Sequence, residues 1–347
     1  MTRTTYLIRI AMCAWTCAFS SAAQKELWEA RTKLGQFKTA LAAAQELERD
    51  GQEDAANTQR SVASEHLRRA RDLFDLANAS ESKDADVLME YAETLALTED
   101  PDLAAEVLQR CVQIRPESAP AWLALGRALA ELGPGRLADA ERALREAVRL
   151  AGDAPQNTEA RTMLVMCYWN AGLYDFARES SQELAEHAPN HIPNRIIMAA
   201  LDIRDGKLLD ASDALDELGA LPPGLSVLLA NMLTKALDDF DLSRRSIPDE
   251  PEHHAAYAKL LMRADRLEAS RLPLERALRL DPNNYTYWNL LASLSRLADD
   301  LPRARDAYRR SLEIYPDQPR TREALQSLED EAEPEPATSG PVRETIP

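Results

Sequence analysis

The chain has 347 residues, with 58 Asp and Glu against 41 Lys and Arg, for a formal net charge of −17 at pH 7. That excess argues against nucleic acid or an anionic membrane as the main ligand and favours cationic partners, although solvated acidic faces account for much of it. Only 11 Gly and 5% aromatic residues, with Ala, Leu, Glu and Arg dominating, suit helices, and no stretch alternates with period two for long enough to predict a strand.

Residues 1–23 differ in character from the remainder of the chain. Arg3 and Arg9 flank the start, Ile10–Phe19 is an apolar run of ten, and Ser21-Ala22-Ala23 supplies small residues before Gln24. This is the layout of a secretory signal peptide, and the run is too short for an ordinary membrane span. An uncleaved N-terminal anchor is the alternative. Cys13 and Cys17 lack the small residue that precedes a lipidated cysteine.

From residue 24 the chain repeats itself. Proline is the ruler, because it follows the second helix of a unit and cannot continue it. Pro189 to Pro223 and Pro282 to Pro316 are each 34 residues. Nine units are expected in order. The first (21–50) holds Leu27, Trp28, Gly35, Ala40 and Leu47, and the second (51–84) keeps mainly its latter helix, with Ala70, Phe74 and Ala77. The third (85–118) carries Leu88, Tyr91, Ala92, Ala104, Leu108 and Cys111. In the fourth (119–157), Trp122, Leu125, Gly126, Ala140, Leu144 and Ala147 keep register around a turn lengthened by Pro134-Gly135. The fifth (158–191) has Leu164, Tyr168, Gly172 and Ala177, and the sixth (192–225) Met198, Ala199, Gly206, Ala211 and Leu215. The seventh (226–250) offers one amphipathic helix over 225–239 and only a stub of a second. Units eight and nine fill 251–284 and 285–318. In the ninth, Trp288, Leu291, Ala292, Ala304, Tyr308, Ser311 and Pro316 stand at positions 4, 7, 8, 20, 24, 27 and 32. Small residues at 8, 20 and 27 let helices approach, and bulky ones at 4, 7, 11 and 24 fill the remaining volume.

This spacing resembles the tetratricopeptide repeat, over roughly residues 24–330. The resemblance implies an all-α, right-handed α-solenoid of about nine helix-turn-helix units, the second and seventh degenerate, with about 18 repeat helices and a capping helix over 319–330. The shortened seventh unit is expected to bend the stack between 24–223 and 251–330. Residues 331–347, acidic and rich in proline, are expected to be a disordered tail.

Chemistry is sparse. Phosphate loops, nucleophile elbows and zinc or redox motifs are missing from the sequence. His187 and His191 are spaced as ligands, but Pro189 between them breaks any shared helical face. His253-His254 reads as a surface or packing pair, and Asp238-Asp239-Phe240-Asp241 lacks the Gly and distal Glu of a calcium loop. Cys111 and Cys167 are expected to be free, buried thiols. No cofactor, metal or catalytic activity is therefore expected.

The resemblance implies instead a site on the inner face, at positions 2, 5, 9 and 12 of each first helix. Those positions give Met89, Glu93, Leu123, Arg127, Met163, Met166, Trp169, Ile196 and Ile203, and further along Lys259, Met262, Asn289 and Arg296. Adaptable Met side chains would line the middle of such a groove, and Arg127, Lys259 and Arg296 would supply its charge. The expected function is a non-enzymatic scaffold in a cell envelope, periplasmic or secreted, that binds a partner protein during assembly of an envelope or secretion machine. Membrane proximity would come through the N-terminal segment alone. Recognition of a glycan in a polysaccharide export system is the alternative, with Trp169 the one aromatic placed for stacking.

Overall fold

The computed structural model describes residues 3–243 and 246–330, with side chains from residue 22 onward. The tail 331–347 and, within the expected signal segment, the side chains of residues 1–21 lie outside the described residues. Among those described there are sixteen α-helices and no strand. The chain divides into two compact units at Pro189/Asn190, rather than at the irregular segment 226–250. No described helix is long and apolar enough to cross a membrane.

The first unit opens with a long hairpin, α1 (Arg3–Arg49) and α2 (Glu53–Leu76), followed by three pairs: α3 (Ala85–Leu97) with α4 (Pro101–Ile114), α5 (Ala119–Glu131) with α6 (Leu137–Ala151), and α7 (Pro155–Asn170) with α8 (Tyr174–His187). The hairpin replaces the first two expected units. No turn interrupts 21–50, because Gly35 is its only breaker and a lone glycine in a run of strong helix formers costs about 1 kcal/mol without ending the helix. Instead Ala30, Leu34, Phe37, Ala40 and Ala44 are buried at intervals of three or four residues. This seam packs on Ala63, Leu67 and Ala70 of α2. Trp28, expected in register, is 69% exposed.

The second unit contains α9 (Ile192–Asp205), α10 (Leu208–Asp216), α11 (Pro223–Leu242), α12 (Pro251–Arg263), α13 (Leu267–Leu280), α14 (Tyr285–Leu297), α15 (Leu301–Ile314) and α16 (Pro319–Asp330). The last is the expected cap, and its Leu328 enters the core formed by α14 and α15. The irregular segment differs from expectation. Pro223 begins α11 instead of closely following α10, and α11 takes the place of a second helix, not a first. Phe240 lies 5.6 Å from the Tyr257 ring, and the Tyr257 hydroxyl donates to Asp241 at 2.6 Å. The α2–α3 junction has the same arrangement, with Phe74 5.6 Å from Tyr91 and the Tyr91 hydroxyl donating to Asp75 at 2.5 Å.

Two devices recur between units. The indoles of Trp122 and Trp288 donate to the carbonyls of Pro116 and Pro282 at 2.8 and 2.9 Å. These position-4 side chains are half-buried, tying each first helix back to the turn before it. Position 20 is the tightest point: Ala70, Ala104, Ala140, Ala177, Ala211, Ser270 and Ala304 are all 0% exposed. Gly126, at position 8, marks the same closeness, since a Cβ there would lie 2.6 Å from Leu144.

Gly126→Ala is accordingly expected to destabilise by about 1–3 kcal/mol through overpacking. Gly172→Ala has open space but a φ of +72°, and its cost of about 1–2 kcal/mol is conformational. Urea unfolding of the two variants checks this, and a concurrent Leu144→Ala change should lessen the Gly126→Ala penalty while leaving that of Gly172→Ala unchanged.

Candidate functional site

A groove in the second unit is built by three helices lying side by side. Leu209, Ser212 and Asp213 of α10, Glu252, Ala255, Ala256 and Lys259 of α12, and Thr286, Tyr287, Asn289, Leu290 and Ser293 of α14 enclose a cavity of about 340 Å³. The repeat explains the lining. Glu252, Ala255 and Lys259 stand at positions 2, 5 and 9 of their unit, and Thr286, Asn289 and Ser293 at the same positions of the next. Alanine at 255 and 256 keeps the floor low, while Tyr287 and Leu290 form an apolar wall. The Tyr287 phenol is pushed to a higher pKa by burial, and then by the nearby Glu252 and Asp281 charges.

Of the expected site residues, the structure brings Lys259 and Asn289 together here. Lys259 is ion-paired within the fold, its ammonium resting on Asp216, which also accepts from Arg263 at 2.5 Å. Asn289 donates to Gln318 at 2.7 Å. Gln318 in turn bonds Ser311 and the Tyr315 carbonyl, so Asn289 helps hold the cap as well as lining the groove. Met262 is half-buried and packs against the core of α14 and α15, and Arg296 is exposed in the last turn of α14. Ile196 and Ile203 are 0% exposed. They belong to the core because α9 is packed by both α10 and α11.

In the first unit, Leu123 and Trp169 are also core residues, with exposures of 6% and 1%. Trp169 meets Tyr174 edge-on at 5.3 Å, which removes the stacking platform the glycan reading relied on. Met89, Met163 and Met166 are half-buried. Glu93 binds Lys38 at 2.7 Å, and Arg127 pairs with Glu159. These ion pairs tie neighbouring first helices together, so the charge expected of Arg127 is spent within the fold.

Two larger cavities, about 600 and 450 Å³, lie between successive second helices of the first unit. They are one feature repeated, with Trp122, Leu125 and Leu129 flooring the first and Arg161, Leu164 and Tyr168 the second. Their rims are largely ion-paired, as in Arg136 with Asp139 at 3.0 Å and Arg161 with Glu183 at 3.4 Å. Satisfied rims give a ligand less to bind than the smaller groove does.

Among the described residues, Glu250, Glu252 and His253 place ligand atoms within 4.8 Å of one another. Both carboxylates are exposed at the start of α12, where the helix dipole favours them without an ion. Cys111 and Cys167 are free and buried as expected. Burial pushes the Cys167 thiol up to about 11, away from thiolate reactivity.

Sequence reasoning missed Asp213, Asp216 and Glu252. Glu252 obeys the same positional rule that gave Lys259. The two aspartates were hidden by reading α10 as an ordinary second helix.

The hydrogen bonds of Gln318 generate a prediction. Gln318→Leu removes the acceptor of the Asn289 amide and the donor to the Ser311 and Tyr315 carbonyls, leaving the Ser311 hydroxyl only its bond to the Tyr285 carbonyl, at a cost of about 1–3 kcal/mol. Hydrogen exchange should show amides of 319–330 losing protection while those of 285–314 keep theirs.

Two tetratricopeptide-repeat families match the chain, one over residues 125–191 and 256–319 and the other over 85–128. No curated protein matches it. Among solved structures it is similar to a chain of the APC/C hetero-tetramer Cut9–Hcn1, at 15% identity and a TM-score of 0.38, covering 84% of this chain and 52% of that one. It is similar also to yeast Tom70, at 20% identity and 0.39, covering 78% and 60%. A tetratricopeptide repeat protein from Parabacteroides merdae gives 11% identity and 0.36, covering 85% and 99%. The chain thus spans about half the length of the first and 60% of the second.

Proposed function

This chain is a tetratricopeptide-repeat protein, and from that premise we propose that it is a non-catalytic scaffold holding a partner protein in the groove of α10, α12 and α14. The observation that carries the reading is the groove itself. It is a cavity at the inner-face positions of consecutive repeats, with an apolar wall and polar groups converging on it. A protein segment fits better than a glycan, since the groove offers a single half-buried ring, Tyr287, and Trp169 is buried elsewhere.

We place the scaffold in a cell envelope, exported through residues 1–23. Support comes from the order of Arg3, Arg9, the apolar run Ile10–Phe19 and the small residues before Gln24. Assembly of an envelope or secretion machine is the role this combination suggests.

A photo-crosslinking residue at Leu290 should give a discrete product in envelope extracts. The product should disappear when Ser293→Trp narrows the groove, and should not form from Arg142, which lines a cavity of the first unit. Products from Arg142 alone would move the site to the outer cavities. Residues 1–30 fused to a reporter active only outside the cytoplasm should give signal, and silence would remove the envelope assignment.

A further inference from the structure

We propose that opposite ion-pair polarity at the α2–α3 and α11–α12 junctions keeps copies of the chain from exchanging these helices as they fold. This is a property of the fold itself and does not rest on the scaffold reading above.

The two junctions follow one plan. Asp72, Phe74, Asp75, Tyr91, Pro116 and Trp122 recur as Asp238, Phe240, Asp241, Tyr257, Pro282 and Trp288, every pair 166 residues apart. Each tyrosine donates to the aspartate that follows the phenylalanine. Buried Leu67 and Ala70 of α2 have buried counterparts in Leu233 and Ala236 of α11. By these contacts α2 could also seat on α12 of another copy, and α11 on α3. The connections give them room to do so. Residues 77–84 and 243–250 make eight-residue links, where the junctions 115–118, 281–284 and 315–318 have four. Eight residues reach about 28 Å and four only about 14 Å, and slack of that kind is what an exchanged element needs.

Charge removes the ambiguity. In the first junction the cation stands on the helix, where Arg71 donates to Asp100 at 2.6 Å and to Thr98 at 3.1 Å. In the second it stands on the turn. Arg266, 166 residues after Asp100, donates to Asp238 at 2.6 Å and lies 3.8 Å from Asp241. Seating α2 on α12 would set Arg71 against Arg266, and seating α11 on α3 would set Asp238 against Asp100. Like charges in contact discriminate against a wrong partner even where the right pair adds little stability.

The test uses full chains labelled at the N-terminal amine with a donor or an acceptor dye, unfolded together in urea and refolded. Energy transfer above that of chains refolded separately and then mixed reports exchange. In wild type it should be small. Asp238→Arg with Arg266→Asp gives both junctions one polarity and should raise the exchanged fraction about tenfold. Arg71→Asp with Asp100→Arg should raise it by the other route, although Asp100 also caps α4. All four substitutions together restore opposite polarity and should return exchange to the wild-type level. That recovery separates polarity from instability, because the fourfold variant contains every substitution of the two double variants. Exchange at the wild-type level in either double variant, exchange still high in the fourfold variant, or wild type exchanging as freely as the double variants overturns the proposal.

Discussion

Position 20 of the repeat admits nothing larger than a methyl or hydroxymethyl group, and the rest of the structure depends on that limit. Seven such residues from α2 to α15 have no solvent exposure, six alanines and Ser270. Where the second helix presses there, the first helix answers with a small residue of its own, and at Gly126 even a Cβ would collide with Leu144. Helices held this closely leave little apolar surface between them for solvent. Their outward positions are then free to vary, and a scaffold needs that separation of packing from recognition.

The groove is a product of the same geometry with one departure. In a regular stack the site would be lined by first helices alone. Here α10 is only nine residues long and lines the groove beside α12 and α14, while the longer α11 packs along α9 and meets Tyr257 as a second helix would. The second helix of the sixth expected unit therefore contributes a wall, and it carries Asp213 and Asp216.

Much of the fold was legible because its determinants are local. Proline after a second helix, small residues at fixed intervals and amphipathic period gave the pairs from α3 to α8 and from α12 to α15, and the cap. The long hairpin was not legible, because a heptad-like seam such as Ala30, Leu34, Phe37 and Ala40 also satisfies a repeat template read loosely. The role of α11 was written in the chain but overlooked: Phe74-Asp75-Leu76 and Phe240-Asp241-Leu242 each precede a tyrosine, Tyr91 and Tyr257, by the same interval. Site residues fared worse. Position rules say which way a side chain points but not what will meet it, so Ile196, Ile203 and Trp169 proved buried and Lys259 proved ion-paired. Long-range partners such as Asp216 and Gln318 decide those outcomes, and sequence spacing carries no record of them.

The account depends most directly on the closeness of helix pairing at position 20. Thermal unfolding of Ala140→Leu and Ala304→Leu, one substitution in each unit of the chain, measures it. Each change is predicted to lower the midpoint and to cost about 1–3 kcal/mol, with a serine at either site nearly neutral, as Ser270 already shows. Midpoints unchanged by leucine would mean that the helices do not meet there, and the groove built on their pairing would go with them.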